Sequence, residues 1–223
     1  MLSAAKSSML WVMCLTKYVA LSGVDGSGKS TIAYMLSMGS PNIKVVWFRW
    51  RAFTLYALYL YSKLRGLCVK VYVPRIKRWL YVHVFHVDGI ARHLYLYLLF
   101  IDLTVFYLLY KLIIIVKGVE IVLFDRFYLD ALVDAIHTCR RVDRVFLKLF
   151  IAMQRKVSKA LVLDIDVSNA IARKKDIISL RELEFKRRVY LILAKHLNIP
   201  IIDARRDLTA VLNDSCRILQ LRC

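Results

Sequence analysis

The chain has 223 residues, 59% of them apolar, and carries 35 Lys and Arg against 16 Asp and Glu for a formal charge of +19. That length and apolar content suit one core-forming domain and exclude a disordered chain, and five scattered cysteines with no CxxC pair read as reduced, packed thiols in the cytoplasm. The charge is uneven: between residues 26 and 101 Asp88 is the sole acid against eleven basic residues, so this half favours an anionic partner, whether phosphorylated substrate, nucleic acid or membrane surface.

Residues 1–17 read as an N-terminal extension. Residues 9–15 are apolar behind Lys6, but cleavage there would leave little ahead of the first predicted strand, 18–22, which argues against a secretion leader. That strand runs into Gly23-Val24-Asp25-Gly26-Ser27-Gly28-Lys29-Ser30-Thr31 and then a helix over 29–38. Glycines at these spacings let backbone N–H groups curl around phosphate oxygens, Lys29 reaches the outer phosphates, and the Ser30 hydroxyl can ligate magnesium. The helix start directs its positive end at the same anion. The pattern implies a nucleoside triphosphate.

A second strand is predicted over 44–48. An insertion follows over 49–118, with helices over 52–64 and 88–116; the β-branched run 69–74 is left unassigned. The stretch 94–116 is long enough to cross a bilayer, but Asp102, Thr104 and Lys111 within it favour a buried helix or one lying against a partner. Gly118 closes that helix before a third strand, 120–124, which ends in Asp125-Arg126-Phe127. An acid at that strand end can hold magnesium opposite Ser30, and the arginine beside it can clamp a phosphoryl acceptor bidentately. A fourth strand over 160–165 leads through the N-cap candidate Ser168 to a helix over 169–174, and a basic lid region spans 168–188. Arg173 is the lid arginine expected to reach the transferring phosphoryl group, whereas Arg187 and Arg188 read as a solvated face. A helix over 182–196, a strand over 199–202 and a helix over 207–219 complete an α/β pattern: a three-layer sandwich on a five-stranded parallel sheet.

These residues, in this order and spacing, resemble the thymidylate kinase family: the phosphate loop with Asp25 inside it, Asp125-Arg126-Phe127, Leu163-Asp164 followed by Ala172-Arg173-Lys174, and Ile202-Asp203-Ala204-Arg205. The resemblance covers most of residues 18–219 and is weakest across the insertion. It implies the P-loop nucleoside monophosphate kinase fold and transfer of the ATP γ-phosphoryl group, with magnesium, to dTMP. By the same resemblance Gly23, Gly26, Ser27, Gly28, Lys29, Ser30, Thr31, Arg173 and Ala204 would bind ATP. Lys29, Arg126 and Arg173 would be the catalytic residues, Lys29 and Arg173 binding the transferring phosphoryl group and Arg126 the acceptor; Ser30 and Asp125 would hold the metal, and Asp25, Arg49, Arg126 and Asp130 would meet the acceptor. The chain departs from the family where it has Arg49-Trp50-Arg51-Ala52 for Arg-Glu-Pro-Gly, Asp102-Leu103 for a helical Asp-Arg, and Asp130 for a serine, with the downstream glutamine missing. All of these shape the acceptor pocket.

Two further readings stay open: a kinase of another small phosphorylated acceptor, and a nucleotide-dependent protein whose basic, aromatic insertion binds nucleic acid or a membrane. The apolar insertion also implies a homodimer. His83 and His86, near Asp88, read as structural residues and not as a metal pair.

Overall fold

The computed structural model describes residues 16–49, 53–73, 76–174 and 179–221. Its centre is β1 (Lys17–Gly23), whose buried run from Val19 to Gly23 has the double-sided burial of a strand covered on both faces. The chain then forms α1 (Lys29–Gly39) and β2 (Ile43–Trp47), and after the insertion β5 (Ile121–Asp125), α4 (Tyr128–Cys139), α5 (Arg144–Gln154), β6 (Lys159–Asp164), α6 (Val167–Arg173), α7 (Leu180–His196), β7 (Ile201–Asp203) and α8 (Leu208–Leu219). Five parallel strands make one sheet in the order β2-β5-β1-β6-β7. Leu21 is in register with Asp125 and Gly23 with Leu163, so β1, β5 and β6 deliver their carboxyl ends to one edge. In a doubly wound sheet that edge is where ligands bind. Helices α1 and α8 pack together on one face, while α4, α5 and α7 pack on the other with the long helix of the insertion.

The insertion holds α2 (Leu55–Leu64), β3 (Cys68–Val73), β4 (Arg78–His83), a short 3-10 turn (Phe85–Val87) and α3 (Gly89–Lys117). The unassigned β-branched run is therefore a strand: β3 pairs antiparallel with β4 in a separate two-stranded sheet, with Tyr72 opposite Trp79 and Lys70 opposite Tyr81. Residues 50–52, which include most of the Arg49-Trp50-Arg51-Ala52 departure, lie outside the described residues.

Helix α3 explains its own central acid. Asp102 is 2% exposed. Its carboxylate accepts from the backbone N–H groups of Phe53, Thr54 and Leu55 at 3.1, 3.0 and 3.2 Å, and from the Thr54 hydroxyl at 2.9 Å. A charge inside an apolar helix thus caps the neighbouring α2, where the exposed amides and the helix dipole favour an anion. By length and composition α3 could cross a membrane. One side of it nevertheless lies in the protein core through Tyr95, Leu99, Leu103, Tyr107 and Ile114, and Gly118 in left-handed conformation terminates it as the sequence implies.

The five strands of the parallel sheet begin and end within one or two residues of the predicted ones. The cap of α6 differs: Asp166, not Ser168, accepts from Asn169 N, and the Ser168 hydroxyl donates to the same carboxylate. Of the cysteines, Cys68 and Cys139 are free thiols, whereas Cys216 is disulfide-bonded, against the expectation of reduced thiols throughout.

Candidate functional site

The loop after β1 is shaped by glycines with positive φ. At Gly23 (φ 140) an added Cβ would stand 2.4 Å from the Leu163 carbonyl oxygen, and at Gly26 (φ 85) 2.5 Å from the Ala170 carbonyl oxygen. Only glycine lets the loop press against β6 on one side and α6 on the other. Gly28 N-caps α1 with no side chain over the helix start, leaving its amides facing the cleft.

Lys29 curls back across this loop. Its ammonium donates to the carbonyls of Gly23 and Val24, both at 2.7 Å, and to Ser27 Oγ at 3.3 Å, and the residue is 4% exposed. Burial, reinforced by the nearby Arg126 guanidinium, brings its pKa down from 10.5 to about 8 against the pull of Asp130, Asp25 and Asp125.

The carboxyl end of β5 supplies the facing groups. Ser30 Oγ donates to Asp125 Oδ2 at 2.5 Å, and the other carboxylate oxygen, Asp125 Oδ1, is buried without a hydrogen-bond partner. A hydroxyl and an unsatisfied carboxylate oxygen beside a phosphate loop form the sparse oxygen set magnesium uses when phosphates and water complete its shell. No cluster of three His, Cys, Asp or Glu suited to a metal occurs among the described residues, and His83 and His86 sit on β4 and the 3-10 turn, not on one helical face.

Arg126 follows with φ 72, a left-handed conformation unusual outside glycine. Its backbone N–H donates to Leu21 O at 2.9 Å, tying this turn to β1. One guanidinium nitrogen contacts Asp25 of the phosphate loop and another lies 3.7 Å from Asp130. Burial alone would raise the Asp25 carboxyl, but Arg126, Lys29 and Lys174 outweigh it and hold Asp25 well below the usual carboxylate range. Lys174 Nζ stands 3.5 Å from the same Asp25 oxygen.

Asp130 does not face the cleft as an acceptor ligand would. It is 3% exposed and accepts from Ser22 Oγ and Tyr190 OH at 2.7 Å and from Phe127 N at 3.0 Å. Three donors engage its carboxylate, which leaves it supporting Arg126 from beneath. Arg187 also departs from the solvated reading, forming a bidentate pair with Asp164 at 2.6 and 2.7 Å, whereas Arg188 pairs with Glu184 on the exposed face.

Two cavities meet at this centre. One of about 530 Å³ runs along Gly26 to Ile32 toward Arg173, Ala204, Arg206 and Leu208. The other, about 300 Å³, is lined by Gly23, Arg49, Leu80, Asp134, Lys186 and Tyr190 among others. Asp25, Arg126 and Lys174 line both. Arg173 donates to Ala204 O at 3.1 Å, which joins α6 to the loop after β7. The structure therefore brings together the expected Asp25, Lys29, Ser30, Asp125, Arg126 and Arg173, places Arg49 on the second cavity, and sets Asp130 behind it. Sequence reasoning missed Asp134, Glu182 and Lys186. Their one visible signal was the i,i+4 spacing of Glu182 and Lys186; the approach of Asp134 is a tertiary contact.

No protein-family model matches the chain. In sequence it is similar to the probable thymidylate kinase 1 of Saccharolobus solfataricus, with 29% identity over 110 residues, a match spanning 47% of this chain and 57% of that one. In structure it is similar to the deoxyadenosine kinase of M. mycoides with bound dATP, at TM-score 0.52 and 16% identity over 91% of this chain and 99% of that one. The same enzyme with the products dCMP and a flexible dCDP gives TM-score 0.50 and 17% identity over 91% and 98% of the two chains. The chain thus shares its five-stranded parallel α/β fold with the deoxyadenosine kinase of M. mycoides, and over 110 residues it is similar in sequence to the probable thymidylate kinase.

Proposed function

We propose that this chain transfers the γ-phosphoryl group of ATP to a nucleoside monophosphate, with dTMP the first acceptor to assay because the sequence relative is named a thymidylate kinase. One observation carries the reading: two cavities, one built on the phosphate loop, converge on Asp25, Arg126 and Lys174. A protein that only binds and hydrolyses a nucleotide has no need of the second cavity or of a half-buried guanidinium between the two.

In this reading ATP takes the larger cavity, its phosphates on Gly23 to Thr31 and its adenine near Ala204, while the acceptor phosphate takes the smaller one against Arg126 and Arg49. Magnesium would be held by Ser30 and Asp125 and would neutralise charge on the phosphates. Lys29 and Arg173 stabilise the charge that spreads over the transferring group, and Arg126 orients the attacking oxygen. An acceptor phosphate oxygen is already nucleophilic, so alignment replaces base catalysis. Residues 1–223 are taken as one kinase domain, with 49–118 the acceptor side and 168–188 the lid; a cytoplasmic location and a homodimer through α3 belong to the same reading.

The test is ADP release from ATP with magnesium over a panel of nucleoside monophosphates and other phosphorylated acceptors. Acceptor-dependent turnover lost in Lys29→Ala supports the proposal, and ATP binding with no acceptor-dependent turnover rejects it. A second reading, nucleotide-dependent binding to nucleic acid or an anionic membrane, is favoured by one exposed hairpin face bearing Lys70, Tyr72, Trp79 and Tyr81. Salt-sensitive binding to DNA or liposomes in place of turnover would select it.

A further inference from the structure

The floor of the acceptor cavity continues outward from Arg126. Asp130, beneath the guanidinium, is followed about one α4 turn later by Asp134, a rise of about 6 Å. Lys186 on α7 faces it, donating to Asp134 Oδ1 at 2.8 Å and to Glu182 Oε1 at 2.7 Å. These three side chains and Arg49 also line a further cavity of about 450 Å³ beside Tyr81 and His83, so the cluster is a wall common to both spaces. Arg126, Asp134, Glu182 and Lys186 line one cavity, so a monophosphate anchored at Arg126 would extend along it with its nucleoside end toward this cluster.

We infer that Asp134, Lys186 and Glu182 form the base-reading face of the acceptor site and select a nucleobase whose edge offers an amino group beside a ring acceptor, as cytosine and adenine do, over thymine. An ionised carboxylate only accepts hydrogen bonds and an ammonium only donates them, so the cluster presents acceptor, donor, acceptor. Thymine presents the same order along its pairing edge, carbonyl, N–H, carbonyl, and sets its oxygens against the carboxylates. Cytosine or adenine instead directs its amine at Asp134 or Glu182 and its ring nitrogen at Lys186. Half-buried polar groups that the wrong base leaves unpaired or opposed make such a site discriminate. The adjoining cavity leaves room for the larger purine.

This inference rests on the phosphotransferase reading for where the phosphate sits, so its test measures binding apart from turnover. Equilibrium binding of dCMP, dAMP and dTMP to the full-length chain, followed by calorimetry, is expected to favour dCMP or dAMP over dTMP by about tenfold or more. Asp134→Asn, which adds an amide donor at nearly constant shape, is expected to shift the ratio toward dTMP by a similar factor, and Glu182→Gln gives an independent second variant. Tighter dTMP binding, a ratio unmoved by both variants, or no monophosphate binding at all overturns the inference. Expected binding without ADP release rejects phosphotransfer and leaves the inference standing; ADP release with dTMP preferred does the reverse.

Discussion

Arg126 holds Asp25 of the phosphate loop with one guanidinium nitrogen while another stands 3.7 Å from the buried carboxylate of Asp130. The arginine is thus the physical link between the phosphate loop and the wall of the smaller cavity. Its own left-handed backbone is fastened to the central strand through Leu21 O. A planar fork is required for two partners in different directions, and a lysine offers a single point charge.

Arg126→Lys is therefore expected to lower kcat/KM for phosphoryl transfer by about 10²- to 10³-fold, with an unchanged circular dichroism spectrum. Steady-state kinetics retaining a tenth or more of the parent activity would contradict this role.

The depressed pKa of Lys29 fixes a pH dependence. In the folded chain the ammonium loses its proton near pH 8, against 10.5 for an ordinary lysine. Between those values the unfolded chain binds the extra proton, so this group makes stability rise with pH across that window; below about 8 both states are protonated and the burial cost stands in full. ATP binding has the opposite trend, because phosphates favour the charged form. Affinity should fall as pH rises above about 8, with proton uptake on binding, which calorimetry in two buffers of different ionisation enthalpy measures directly. A pH-independent affinity from about 7 to about 9, roughly one unit either side of the folded value, would remove the charge of Lys29 from the account.

Asp102→Ala separates stability from chemistry. It deprives three backbone amides and the Thr54 hydroxyl of their acceptor at the start of α2. A destabilisation of about 2–3 kcal/mol is expected in urea denaturation, with ATP affinity unchanged, because the phosphate loop lies on other elements. An unaltered midpoint would show that the cap contributes nothing.

The same residue shows what was legible in the sequence. Strands and the phosphate loop could be read because apolar runs and glycine spacing are local, and local patterns survive folding. Asp102 looked like a departure from a family motif because its partners lie 47 to 49 residues away. Asp130 occupies a pocket-shaping position in sequence yet is consumed by Ser22 and Tyr190, which only the packing of β1 and α7 against α4 reveals. The β3–β4 hairpin escaped because β3 leaves residues on both faces partly exposed, so no clean alternation marks a buried side. Ser168 was the wrong cap for a simpler reason: Asp166 stands two residues earlier with the longer, charged acceptor.

The outer side of α3 is the remaining unexplained surface, and it has a regular design. Ile101, Val105, Leu108 and Leu112 recur every three or four residues and are 47%, 43%, 52% and 57% exposed, while the opposite side is core. Such a stripe would lose apolar surface to water in a monomer, and a second copy presenting the same stripe buries both at once. Light scattering should give a dimer at micromolar concentration. The paired substitution Leu108→Glu and Leu112→Glu should convert it to a monomer that still binds ATP, since neither residue lines the cavity along the phosphate loop. If the parent chain is already a strict monomer, the stripe meets something other than itself, and liposome flotation of the parent against the paired variant would then decide whether that partner is a bilayer.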